Sequence, residues 1–331
     1  MRAIPVALAI AVCLAPATGA TVPTSTAPAG TVRVLWRDPG SITTRDLYWG
    51  LGSEARAPKP PFTFVSENLS GTKPKINVTD SAGVAWSVKL ATAKPGQNEV
   101  HAEIAATRFV WALGYFADEN YYVPEGRIEG VKDLKRAAEV VGADGAFRIA
   151  RFERRPPDAQ TAGNWDIEEN RFNGTRELSG LQALMMFLGN WDYTPGNTVM
   201  LHVALPNGDV EERYLVSDLG ATFGRMRGGV NQAPNRWSLE DFSDAKYLTG
   251  ISLGKLEFRG PLLRANPLAV PLAHAQWFGA MLAQLTDAQI RQAFEASGAA
   301  PAEVAAYSAQ VRKRIAELDK VLSRPDHAAG G

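Results

Sequence analysis

Cysteine is almost absent from this sequence: the 331 residues contain only Cys13. One thiol cannot form an internal disulfide, and by itself it cannot supply a thiolate metal site. Cys13 also lies in an N-terminal segment that we expect to be cleaved off. Packing, rather than covalent cross-links, must therefore stabilise the mature chain.

An excess of charge of either sign is missing as well. Lys and Arg together number 35, and so do Asp and Glu, which makes the formal net charge zero. A neutral chain has no overall field that would attract nucleic acid or an anionic membrane. We therefore expect no nucleic-acid partner. About 45% of the residues are apolar, which is enough to build a substantial core.

The sequence also lacks a long apolar run of the kind that spans a membrane. Met1-Arg2 precedes a short apolar stretch over residues 3–15, and small residues follow up to Ala20. This pattern is typical of a secretory signal peptide, and the stretch is too short to cross a bilayer core of about 30 Å. We predict a leader over residues 1–20, no transmembrane segment after its cleavage, and export to the periplasm or the outside. A lipoprotein anchor at Cys13 is less favoured, because Val12 stands where a small residue is preferred.

Strand patterns dominate the first half of the chain and helix patterns the second. A hairpin is predicted over residues 75–90, a helix over residues 99–113 that ends at Gly114, and another helix over residues 175–188. The fold class is therefore α+β, with a β-rich lobe before a helical one. We assign residues 21–61 to a lead-in and linker, 62–155 to the first lobe, and 156–331 to the second lobe with its helical C-terminal extension.

Lys89 lies at the end of the predicted hairpin, and Glu103 lies inside the helix that follows it. A lysine in this place can reach the phosphates of a bound nucleotide, and a carboxylate can hold it there. Glu99 is one helical turn earlier and is a rival partner for Lys89. Each of these side chains is also compatible with an ordinary surface charge.

Asp192 and Asn197 lie in a loop after the second helix, with four residues between them. This Asp-x4-Asn spacing is the one with which a kinase catalytic loop places its base and a metal-binding amide. A turn capped by Asn190 and Asp192 is the simpler alternative.

Asp218 and Gly220 follow an apolar strand in the segment Ser217-Asp-Leu-Gly220. The arrangement is similar to the Asp-Phe-Gly segment of kinases, with Leu in place of Phe, and it predicts that Asp218 binds a metal ion. An ordinary turn would show the same residues.

The segment Ser70-Gly-Thr-Lys-Pro-Lys75 precedes the hairpin. Gly71 and Lys75 offer backbone donors and a cation, so this segment is the candidate phosphate loop. An exposed basic turn is an equally good interpretation, because no complete Gly-x-Gly-x-x-Gly or Walker motif is present.

Several of these blocks resemble an atypical protein-kinase-like family. The segments 102–106, 189–192 and 217–224 are similar to those of secretory-pathway kinases that phosphorylate casein-like proteins and proteoglycan xylose. The loop 70–75 and the Asp192-x4-Asn197 spacing resemble HipA-type kinases. The chain departs from typical protein kinases because no His-Arg pair precedes Asp192.

The resemblance implies a two-lobed kinase-like fold and an exported phosphotransferase that uses ATP and Mg²⁺ or Mn²⁺. Its acceptor would be a hydroxyl of a protein or glycan. Lys89 would contact ATP, Glu103 would position Lys89, Asp192 would be the catalytic base, and Asn197 and Asp218 would bind the metal. Two alternatives stay open: a catalytically inactive kinase fold that serves as a binding or scaffold module, and a hydrolase that uses Asp192 and Asp218.

Overall fold

A computed structural model describes residues 30–92, 98–154, 158–225, 235–260 and 267–323. The predicted leader and Cys13 lie outside the described residues. In the part of the chain that is described, no helix has both the length and the apolar character needed to cross a bilayer.

The described ranges contain twelve β-strands and six α-helices. The strands are β1 (Thr31–Val34), β2 (Phe62–Asn68), β3 (Lys75–Thr79), β4 (Ala85–Leu90), β5 (Asn120–Glu129), β6 (Ala146–Arg154), β7 (Ala159–Gly163), β8 (Thr198–Ala204), β9 (Val210–Val216), β10 (Leu248–Ser252), β11 (Lys255–Phe258) and β12 (Leu268–Pro271). The helices are α1 (Glu99–Ala112), α2 (Arg176–Leu188), α3 (Leu239–Asp244), α4 (Leu272–Ala283), α5 (Asp287–Glu295) and α6 (Pro301–Leu322).

The first lobe is a closed barrel in which the strands follow the order β2-β3-β4-β6-β5. Successive side chains of a strand point to opposite faces of the sheet. Ile76, Val88 and Phe152 lie on neighbouring strands, are fully buried and fill the barrel core. The residues that alternate with them belong to the other face, which borders α1 and the second lobe.

Helix α1 is buried on nearly all sides, because it lies between the barrel and the large core of the second lobe. The segment has no interior glycine or proline, which favours a helix. It ends where Gly114 takes up a positive φ of 88°, a conformation that glycine adopts without steric cost. The predicted helix and its terminating glycine are therefore confirmed.

The second lobe is built on α2, whose ends are defined by local hydrogen bonds. The Thr175 side chain accepts a bond of 3.2 Å from the Leu178 N–H at the start. Gly189 closes the helix with a φ of 66°. Helix α4 packs on α2, α6 packs on α4 and α5, and α5 packs on α1, all within one continuous core. The four-stranded sheet β1-β9-β8-β7 lies beside this core. The last third, predicted as helical, contains these three helices.

Residues 30–61, which the sequence assigned to a lead-in and linker, carry ordered structure. Strand β1 pairs in parallel with β9, and Leu35, Ile42 and Leu47 are buried in the large core. The Gln289 side chain on α5 donates hydrogen bonds to the carbonyl oxygens of Ile42 and Arg45, at 2.6 and 2.8 Å. Residues 31–47 therefore pack against the second lobe, whereas Trp49 and Ala57 pack against the barrel core.

The predicted α+β class, with a β-rich lobe followed by a helical lobe, is confirmed. Strand β5 is the longest of the barrel, with ten residues. The three-stranded sheet β10-β11-β12 was not predicted, because its strands are only four or five residues long.

Candidate active site

A cleft of about 920 Å³ lies between the barrel and the second lobe. The barrel side contributes residues of β3, β4 and β6, and α1 contributes Glu103. The opposite side is formed by β8, β9 and the loops that flank them, with Asn197 and Asp218. The cleft has the size of a small-molecule site, and charged groups from both lobes line it.

Lys89 forms the centre of an ion-pair network in this cleft. Its side chain is only 2% exposed, and its Nζ lies 2.7 Å from Oε2 of Glu103. The Nζ–Oε distance to the rival Glu99 is 4.0 Å, so Glu103 is the close helical partner. Asp218 of the second lobe completes the network, with Oδ1 at 3.3 Å from Lys89 Nζ. The structure thus brings together three of the predicted site residues.

Arg151 belongs to the same network and was missed by the sequence analysis. It lies on β6 directly opposite Lys89 of β4, and it is 3% exposed. Its Nη1 contacts Oε1 of Glu103, and its Nη2 lies 2.5 Å from Oε2 of Glu153. Glu103 therefore binds one cation with each of its oxygens. No sequence motif marks Arg151, because an arginine that alternates with buried residues of a strand is ordinarily solvent-exposed on the other face.

Burial raises the pKa of Glu103, while the charges of Arg151 and Lys89 oppose the shift. The pKa of Asp218 is shifted in the opposite direction, because the nearby positive charges outweigh the effect of burial. Burial acts to raise its pKa, but Lys89, Arg151 and the Gly220 N–H outweigh burial and hold the pKa at about 2. The carboxylate of Asp218 is therefore ionised at neutral pH, and its side chain is still 38% exposed. An ionised, accessible carboxylate is suited to binding a cation.

The low pKa of Asp218 predicts a specific dependence of stability on pH. A carboxyl group whose pKa is lower in the folded state stabilises the fold above its unfolded pKa of about 4. That contribution is lost as the pH falls from about 4 towards 2. We expect urea unfolding to show a steeper loss of stability over this range in the wild type than in Asp218→Asn. Equal slopes for the two proteins would contradict the assignment.

The loop that contains Asp192 is held by its own polar groups. The Asp192 N–H donates to Oδ1 of Asn190 at 3.0 Å, and Nδ2 of Asn197 donates to the Asp192 carbonyl at 2.7 Å. The Asn197 carbonyl accepts a bond of 3.0 Å from the Ser217 N–H, next to Asp218. Asn197 lines the cleft beside Asp218, whereas Asp192 is not among the cleft-lining residues. The structure thus joins the two predicted motifs through Asn197, and the assignment of Asp192 as the base stays a prediction.

The candidate phosphate loop lies at one end of the same cleft. Gly71 has a φ of 71°, and its carbonyl accepts a bond of 2.8 Å from the Arg136 side chain. Lys73 forms an ion pair of 2.9 Å with Glu99 at the start of α1. Lys75 lines the cleft, and burial, together with the charge of Lys89, lowers its pKa. Gly71 and Lys75 therefore both line the cleft, with Lys75 opposite Lys89, and their role in binding phosphate stays a prediction.

The donors at this site suit a metal ion that arrives with a ligand better than one held by the protein alone. Within the described ranges, no group of three or more His, Cys, Asp or Glu side chains is arranged to hold a metal. Asp218 and Asn197 offer a carboxylate and an amide at the cleft. Mg²⁺ characteristically binds one or two such side chains together with substrate phosphates and water. The residues present therefore fit a metal–nucleotide complex.

Comparison with known proteins identifies no family. No family model matches the chain, and no curated protein matches it. Eight chains of solved structures do match, among them the proinflammatory kinase CtkA of Helicobacter pylori. That match has a TM-score of 0.49 and 11% sequence identity, and it covers 83% of this chain and 100% of the other. A similarity at this level assigns neither an activity nor a ligand, so the geometry of the site must support any function.

Proposed function

We propose that the protein is an exported phosphotransferase that uses ATP and Mg²⁺ or Mn²⁺ and transfers a phosphoryl group to a hydroxyl of a protein or glycan. The observation that carries the proposal is the contact of Lys89 with both Glu103 and Asp218 in a cleft between two lobes. Phosphoryl transfer depends mainly on placed charges, and this network supplies a positioned cation next to an ionised carboxylate. Export rests on the leader-like residues 1–20, and the class of acceptor rests on the family resemblance.

Each group of the network has a defined task in this proposal. Lys89 binds phosphate oxygens, while Glu103 restricts the position of the ammonium group. Asp218 and Asn197 are the side chains that would bind the metal ion, which neutralises charge on the phosphates when it is present. Lys75 and the backbone at Gly71 border the same space and face the phosphates. Asp192 would accept the proton of the attacking hydroxyl.

Replacing Asp192 with Asn separates turnover from binding. Asparagine keeps the shape of the side chain but cannot accept the hydroxyl proton, and general-base catalysis contributes roughly 10²- to 10⁴-fold to a rate. We expect a loss of this size in ADP release and in transfer of labelled γ-phosphate, with the Kd for ATP and Mg²⁺ changed less than threefold.

The matched control is Asp209→Asn, a side chain in the β8–β9 turn, which should leave both turnover and binding unchanged. A rate in Asp192→Asn equal to that of the wild type would eliminate Asp192 as the base.

The second candidate is a catalytically inactive kinase fold that binds nucleotide or a partner. It is favoured by one observation: Asp192 does not line the cleft that contains the Lys89 network. The same experiment distinguishes the two proposals, because an inactive binding protein would bind ATP and Mg²⁺ but release no ADP above the Asp192→Asn background.

A further inference from the structure

Three cationic side chains lie next to one another on adjacent strands of the barrel, on the side of the cleft that the barrel forms. Lys75 of β3 is directly opposite Lys89 of β4, and Lys89 is directly opposite Arg151 of β6. Neighbouring strands are about 4.8 Å apart, so the row extends over about 10 Å. All three residues line the cleft. Like charges directly opposite each other on paired strands are unfavourable unless anions compensate them.

Carboxylates near the row offset its positive charge, and Asp218 is the one that the second lobe contributes next to Lys89. Glu103 lies between Lys89 and Arg151, and Glu153 contacts Arg151. Glu99 lies farther off, at 4.0 Å from Lys89 Nζ, and forms a closer ion pair with Lys73. A metal ion bound to Asp218 would offset the negative charge of that carboxylate and would therefore increase the net positive charge that the row presents to the cleft.

Arg151 has an additional feature that points to a ligand. Its side chain is only 4% exposed, and both of its terminal nitrogens contact carboxylates. Its Nε–H, however, has no acceptor among the described residues. A buried donor without an acceptor calls for an explanation. The Nε–H of Arg45, Arg236 and Arg314 has no acceptor among the described residues either, but of these three only Arg45 also lines the cleft. An oxygen of a ligand in the cleft would supply the missing acceptor.

We propose that Arg151 is a further phosphate-binding residue, which together with Lys89 and Lys75 forms a row that binds the polyphosphate chain of the ligand. The inference rests on the proposed function and extends it to a residue that no motif identified. Glu103 and Glu153 hold the guanidinium in place, so that Nε is presented without the entropy cost of ordering a free arginine. The polyphosphate, rather than the base or sugar, is the part of the ligand that Arg151 recognises.

The test measures the Kd of full-length protein variants for two probes, ATP with Mg²⁺ and inorganic tripolyphosphate with Mg²⁺. Arg151→Gln should weaken binding of both probes by about ten- to a hundredfold, because it removes charge-assisted hydrogen bonds. Arg148→Gln is the matched control, since Arg148 is an exposed arginine on the same strand and does not line the cleft. It should bind both probes as the wild type does.

Arg151→Lys covers the case in which the glutamine variant fails to fold. Lysine retains a positive charge beside Glu103 but has no donor at the position of Nε. We expect it to fold, as judged by circular dichroism, and to bind both probes several-fold more weakly. Wild-type affinity in Arg151→Lys would mean that Arg151 only balances Glu103, and the proposal would be wrong.

The outcomes also separate this inference from the proposed function. If the wild type binds ATP and Mg²⁺ and Arg151→Gln binds them equally well, the inference fails and the phosphotransferase proposal stands. If the variant loses affinity for ATP but not for tripolyphosphate, Arg151 contacts the nucleoside and the polyphosphate assignment is overturned. If the wild type binds neither probe, the proposed function itself fails, and the inference fails with it.

Discussion

Asp218→Asn is expected to abolish the metal-dependent stabilisation of this protein by ATP. Asparagine has nearly the same shape as aspartate, but it lacks the negative charge that Mg²⁺ requires. In the wild type, a ligand at about 100 times its Kd should raise the free energy of unfolding by roughly 2.7 kcal/mol. Thermal unfolding with ATP, with Mg²⁺ and with both together measures this effect. The increase should appear in the wild type with both ligands and be absent from the variant.

The control for this experiment is Asp209, a half-buried residue in the β8–β9 turn that does not line the cleft. Asp209→Asn removes the same charge without touching the network, so its stabilisation should equal that of the wild type. A full metal-dependent shift in Asp218→Asn would exclude Asp218 as a metal ligand. The absence of any shift in the wild type would instead favour a fold that does not bind nucleotide.

Glu103→Ala is expected to destabilise the fold strongly. The side chain of Glu103 is 1% exposed and contacts both Lys89 and Arg151, which are themselves buried. Removal of a carboxylate shared by two buried cations leaves both without compensation, and breaking one buried ion pair already costs about 3–5 kcal/mol. A loss of this size is a large part of the stability of an ordinary domain. Urea unfolding followed by circular dichroism measures it.

Glu317→Ala serves as the comparison, because Glu317 is an exposed glutamate on a helix. Its effect should stay within about 0.5 kcal/mol of the wild type. If Glu103→Ala were as stable as Glu317→Ala, Lys89 and Arg151 would have to find other partners, and Glu103 would not be the group that positions Lys89.

Much of the fold could be predicted from local patterns. Helices α1 and α2 have uninterrupted apolar spacing and end at Gly114 and Gly189, where positive φ angles favour glycine. In the hairpin that carries Lys89, apolar and polar residues alternate along both strands, and a polar turn follows Thr79. These features depend on residues close together in the chain, so a sequence pattern records them. The short strands β10 to β12 have too few residues to form such a pattern.

The candidate site was predictable only in part. Lys89, Glu103 and Asp218 were identified by the order of their elements, and the structure shows the three side chains in contact. Arg151 was missed, since its importance comes from the pairing of β4 with β6 and not from any motif. Only the folded structure distinguishes Glu103 from Glu99 as the partner of Lys89, because both lie on the same face of α1, one turn apart.

By itself, the sequence determined the α+β class, the order of the lobes and the identity of three charged groups of the site, Lys89, Glu103 and Asp218. Only the tertiary structure decided which carboxylate Lys89 contacts, that Arg151 shares it, and that residues 31–47 pack on the second lobe. The physical reason is the distance along the chain over which each kind of interaction acts. Periodicity and capping act over a few residues, whereas strand register and the burial of charge depend on segments that are far apart in the chain and meet only when the barrel and the second core close around α1.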